Sequence, residues 1–128
     1  GDVYKRQYIM YTIVRIKSLL AKVAQNAIEV DEQLPILPAS DKSATDVMLS
    51  LSKWGEIVQA AYEEQAPHKI CQFIYELSDA YNKFYHENKI VANEDAALRN
   101  SHICLSKLVV NVLETAVDLL GLEAPERM

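Results

Sequence analysis

Apolar residues recur at three- and four-residue steps along most of the chain, and no stretch alternates apolar and polar as a half-buried strand does. From about Tyr8 to Ile28, Ile9, Ile13, Ile16, Leu20, Val23, Ala24 and Ala27 share one arc of a helical wheel and are assigned to the core. Val47, Met48, Leu51, Trp54, Val58 and Ala61 form a second stripe, with Ser43 or Thr45 placed to cap it and Gly55 marking a local irregularity. A third stripe runs through Ile70, Cys71, Phe73, Ile74, Leu77, Tyr81, Phe84 and Tyr85, with Pro67 suited to its first turn. The last stripe holds Leu105, Leu108, Val109, Val112, Leu113, Ala116, Leu119 and Leu120, widened by Ile103, Val110 and Val117. Asn93 is a candidate N-cap for this final helix, Gly121 suits a left-handed C′ position, and Pro125 lies beyond as a breaker. Its length and breadth make it the expected central packing element.

Between the stripes, Glu29–Ser43 carries Pro35 and Pro38 among acidic and small polar residues, and reads as a loop. Glu87–Asp95 is a polar loop in which Ile90 and Val91 tuck against the core. The pattern predicts an all-α, single-domain bundle of about four long helices.

Composition narrows this further. With 128 residues, half of them hydrophobic and three of them Gly, the chain supports one domain with a real core. No apolar run approaches the roughly 20 residues that span a bilayer, and no signal-peptide pattern is present. Cys71 and Cys104 sit on apolar stripes without a CxxC spacing, and read as buried thiols of a cytoplasmic protein. A net charge of −5 argues against nucleic-acid binding by bulk electrostatics, so any such binding needs a local basic patch and shaped contacts.

Catalytic chemistry is not visible. No phosphate loop, GxGxxG, HExxH or nucleophile elbow occurs, and His68, His86 and His102 have no partner at metal-ligand spacing. The first helix is more informative. Tyr8, Tyr11 and Arg15, at i, i+3 and i+7, lie on an arc the core does not use, and Lys22 extends it. Two phenols beside a guanidinium suit stacking on, and hydrogen bonding to, a nucleobase. They equally suit packing on a neighbouring helix, with Arg15 paired to a carboxylate.

Several segments resemble one family. ALRNSHICLSKLVVNVLETAVDLLGLEAPERM looks like the C-terminus of bacterial arginyl-tRNA synthetases: a long helix, an LLGI-like turn at Leu119–Leu122, and a Pro-Glu-x-Met tail at Pro125–Met128. Ala97, Leu98 and Arg99 match part of the Asp-Ala-Leu-Arg signature of the DALR anticodon-binding fold, with Ala96 in place of its Asp. Ile74–Val91 is similar to the helix preceding that signature, and Tyr8–Lys22 to the family's Tyr-x-x-Tyr-x-x-x-Arg-x-x-Ser helix. The chain departs from many relatives at Thr12–Val14, where they read Ala-His-Ala, and at His102, where a second Arg is common.

The resemblance implies a domain that grips the anticodon loop of arginine tRNA through Tyr8, Tyr11, Arg15 and Met128, with Lys22 as a further basic contact. It implies no cofactor in this domain: ATP and Mg belong to a separate catalytic domain, whose His-Ile-Gly-His and Lys-Met-Ser-Lys motifs are absent here. The expected partners are the tRNA and that catalytic domain, with the domain itself monomeric and no membrane involved. Asp2–Gln7 resembles the translation of a sequencing adaptor, so residues 1–7 are expected to be a non-native leader and 8–128 the domain, as a fragment of a longer enzyme. The alternative function is a freestanding helical adaptor of the same fold; the equivalent domain of another class I synthetase is a third.

Overall fold

The computed structural model of the chain describes residues 2–123. Five helices follow one another: α1 (Asp2–Gln25), α2 (Lys42–Ser52), α3 (Trp54–Glu63), α4 (His68–Glu87) and α5 (Ala96–Glu123), with no strand among the described residues. The all-α bundle is as expected, but its second helix is divided. At Lys53 the backbone N–H turns back to the Ser50 carbonyl, and the Ser52 hydroxyl donates to the Leu49 carbonyl. Both contacts compete with continued α-helical bonding. The break lets Trp54 stack on Phe73, ring centroids 5.6 Å apart and planes 23° from parallel.

The hub of the bundle is α4 rather than α5. It packs against α1, α2, α3 and α5, whereas α5 lies chiefly against α1 and α4. Phe73, Ile74, Leu77, Tyr81 and Phe84 of α4 are buried on more than one side of the helix, as this role demands. In α5 the buried arc centres near Val109 and Leu113 and reaches round to Ile103 and Val110, so Leu108 is left 46% exposed at its far edge. A similar rotation occurs in α1. Thr12 and Leu19 are buried with Ile9, Ile13, Ile16 and Val23, while Leu20 is half-buried and Ala24 and Ala27 are exposed. The α1 core arc therefore reaches to the edge of the Tyr–Arg face. Residues 2–7 continue α1 as helix, with Lys5 Nζ 2.6 Å from Gln72 Oε1.

Three end signals read differently in three dimensions. Asp41, not Ser43 or Thr45, caps α2: its carboxylate accepts from the Ala44 N–H at 2.8 Å, from the Ser43 hydroxyl and from Asn88 Nδ2. Burial works to raise the Asp41 pKa, but these hydrogen bonds outweigh it and hold the carboxyl below the ordinary carboxylate range. Asp95, not Asn93, caps α5, accepting from the N–H groups of Ala97 and Leu98 at 3.1 Å each. Asn93 instead receives the Asp95 N–H two residues on, as an Asx turn does. Gly121 stays helical inside α5, and no described glycine has a positive φ; Pro125 lies outside the described residues. Of the cysteines, Cys104 is buried and Cys71 only half-buried. No described helix is long and apolar enough to cross a membrane.

Candidate functional site

The exposed arc of α1 and the α4–α5 connection enclose an open groove of about 540 Å³. From α1 come Tyr11, Val14, Arg15, Ser18, Leu19 and Lys22; from the end of α4 and the connection come Tyr85 and residues 88–92. The connection is held in place at several points. Ile90 is buried and Val91 half-buried, as their apolar character in a polar segment predicts. Asn88 Nδ2 reaches the Asp41 carboxylate at 3.1 Å and the Phe84 carbonyl at 3.0 Å, tying the end of α4 to the cap of α2. Arg99, the last residue of the Ala-Leu-Arg match, donates from Nη1 to the Asn93 carbonyl at 2.7 Å, so it braces the loop that walls the groove. On the other side of α5, the Glu29–Ser43 loop is pinned where the Asp31 N–H donates to Asn100 Oδ1 at 2.8 Å and the Leu37 N–H to Ser101 Oγ at 2.9 Å.

Arg15 is the centre of the groove. Its guanidinium carbon lies 4.3 Å from the centroid of the Tyr85 ring and 4.8 Å from that of Tyr11. Both are cation–π distances. Nη2 donates to the Tyr11 hydroxyl, and Nη1 to Asn82 Oδ1 at 2.9 Å. Its anchor is thus a neutral amide and not a carboxylate, so the positive charge is oriented without being neutralised. Lys22 and Lys89 add two more cations, and among the described residues neither is in an ion pair and no Asp or Glu lines the groove. On a chain of net charge −5 this is a local reversal of sign. Tyr11 is 50% exposed, which leaves ring surface free for a planar ligand.

The residues singled out in the sequence separate. Tyr11, Arg15 and Lys22 come together in the groove. Tyr8, one turn earlier, faces α4 instead: its ring meets Tyr75 at 5.6 Å and its hydroxyl donates to Asp79 Oδ1 at 3.3 Å. Burial above all, with the Asp79 carboxylate adding to it and the Asn82 amide opposing, raises its phenol pKa. Met128 lies outside the described residues. Tyr85 and Lys89, which line the groove, and Asn82, buried behind Arg15, are the residues that periodicity missed. Tyr85 falls on the third apolar stripe, among phenols expected to be half-buried with the hydroxyl reaching out; that its ring turns to Arg15 on α1 depends on how the two helices meet.

The chain has counterparts among known proteins. The DALR anticodon binding domain family matches residues 9–128. An arginine–tRNA ligase of Agathobacter rectalis is 46% identical over 122 residues, covering 94% of this chain and 20% of the ligase. One from Alkaliphilus oremlandii is 41% identical over 121 residues with the same coverage. A crystal structure described as an arginyl-tRNA synthetase from Campylobacter jejuni superposes with a TM-score of 0.72 at 26% identity, over 94% of this chain and 25% of that one. The chain thus spans about a fifth of the length of the curated relatives it matches.

Proposed function

This chain belongs to the DALR anticodon binding domain family, and we propose that its α1–α4 groove binds the anticodon loop of arginine tRNA. The observation that carries this reading is Arg15, held by an amide between two tyrosine rings in a groove with no carboxylate among its described lining residues. A guanidinium has five N–H donors; two are engaged by Asn82 and Tyr11, and the others, without a hydrogen-bond partner among the described residues, are available to a base edge or a phosphate. A nucleobase stacks on the open face of Tyr11, a contact worth ~1–3 kcal/mol per base. Lys22 and Lys89 meet the backbone at the rim, and Tyr8, packed against α4 one turn before Tyr11, supports the same stretch of α1. Met128 is a further contact in this reading.

In the parent protein the domain supplies recognition, while ATP- and Mg-dependent arginylation belongs to the part of the ligase that this chain does not span. Such a protein works in the cytoplasm. The test is fluorescence anisotropy with an anticodon stem-loop of arginine tRNA against one carrying an unrelated anticodon. Binding should prefer the former and weaken with salt. Lys22→Ala should make the log–log salt slope shallower by about 0.7, the value for one phosphate on a single strand. Tyr11→Ala should weaken binding with the helical circular dichroism intact. Equal binding of both stem-loops, or of parent and Tyr11→Ala, overturns the reading.

A further inference from the structure

The buried polar groups between α1 and α4 have a fixed direction. Thr12 Oγ1 lies 2.8 Å from the Tyr8 carbonyl, which can only accept, so the threonine proton points there. Its oxygen is then an acceptor for the group 2.9 Å away, which must be Asn82 Nδ2. That choice turns Oδ1 toward Arg15 Nη1, which can only donate. Reversing the amide would set donor against donor at Arg15 and, at Thr12, an acceptor against a hydroxyl whose proton is already engaged. Thr12 is fully buried and Asn82 only 5% exposed, so water cannot readily rescue the reversed state.

We infer that Asn82 is a positioning residue for the groove, holding Arg15 in its binding pose through an amide whose orientation Thr12 sets. The inference rests on the reading that Arg15 contacts the nucleotide. A free arginine side chain samples many rotamers, and ordering it on binding costs affinity. Here the chain from the Tyr8 carbonyl through Thr12 and Asn82 orders it beforehand. Because Asn82 is neutral, Arg15 keeps its full charge for the ligand.

Asn82→Leu removes the amide hold on Nη1 while leaving the Thr12 hydroxyl satisfied by the Tyr8 carbonyl. It should weaken stem-loop binding by about tenfold, the effect of losing one hydrogen bond to a charged group. In an Arg15→Leu background the same change should cost nothing further, since its route of action is gone. Additive losses, or Asn82→Leu binding like the parent, overturn the inference. The Arg15 Nε–H resonance, recorded without RNA at mildly acidic pH, separates this from the tRNA reading. It should be dispersed in the parent and move toward the random-coil position in Asn82→Leu, which leaves only the Tyr11 and Tyr85 contacts; an unmoved resonance overturns the positioning role whatever the RNA does. Thr12→Val, nearly isosteric, should shift the resonance part of the way, and serves equally if Asn82→Leu does not fold.

Discussion

Tyr81 and Asn82 are neighbours on α4, and each carries a buried polar group into a seam with another helix, but the two chains of hydrogen bonds end differently. The Tyr81 hydroxyl lies 2.9 Å from Ser106 Oγ, and Ser106 donates to the His102 carbonyl at 2.9 Å. The serine proton is thus committed and Tyr81 is the donor. This relay is closed within α4 and α5, and burial pushes the Tyr81 phenol pKa up to about 12. Phe84 meets the His102 ring edge to face at 4.8 Å and completes the seal. From Asn82 the bonds run the other way, to Thr12 on one side and out to Arg15 on the other. The same amount of buried polarity therefore serves two ends. A relay that begins and ends on buried groups specifies how two helices pack. One that ends on a half-exposed cation with unused donors prepares a surface for a ligand.

That contrast can be broken most sharply from the sealed side. Phe84→Ala should destabilise the fold by about 3–5 kcal/mol, the usual cost of emptying a buried aromatic site, read as a lower urea midpoint. A loss under about 1 kcal/mol would mean that the α4–α5 seam is not a packed seal. On the open side, Arg15→Ala should cost about 1.5–3 kcal/mol of stem-loop affinity, the range for a hydrogen bond to a charged group. Its urea midpoint should move far less than that of Phe84→Ala. If stability falls and affinity does not, Arg15 belongs with the seal. Tyr81→Phe should remove ~1 kcal/mol of stability through its lost hydrogen bond, with stem-loop affinity unchanged.

The finest distinction is in pH. Burial lowers the His102 pKa below the ordinary histidine value, the Asp41 carboxylate only partly opposing it, and Nδ1 has no hydrogen-bond partner. The unfolded chain therefore takes up this proton first. The contribution is complete above the ordinary value of 6.5 and is lost as pH falls below it toward the depressed native pKa. Thermal midpoints should decline over that window in the parent, and His102→Gln should flatten that part of the profile. A profile unchanged by the substitution would show that His102 is not the group responsible. A guanidinium does not titrate in this range, so groove binding should follow this profile only through the folded fraction.

Helix periodicity is information carried within one helix, and it determined what such information can. The stripes located the helical segments, the prolines of Glu29–Ser43 marked the loop, and the spacing of Tyr8, Tyr11 and Arg15 put all three off the centre of the α1 core arc. The Ala-Leu-Arg match and the tail motifs pointed to the DALR family without any coordinates. What periodicity does not contain is how far each helix is rotated against its neighbours. That rotation buried Thr12 and Leu19, turned Tyr8 to Tyr75 and Asp79, exposed Leu108, and made α4 the hub. It also brought Tyr85, Asn82 and the 88–92 connection to Arg15 from a distant part of the chain. Caps followed the same rule: Ser43 is a good cap by type, but Asp41 holds the position, supported by Asn88 from just beyond the end of α4. A helix announces its faces through the order of its residues; which face becomes a seam and which a site is settled by long-range packing, because only there do the partners meet.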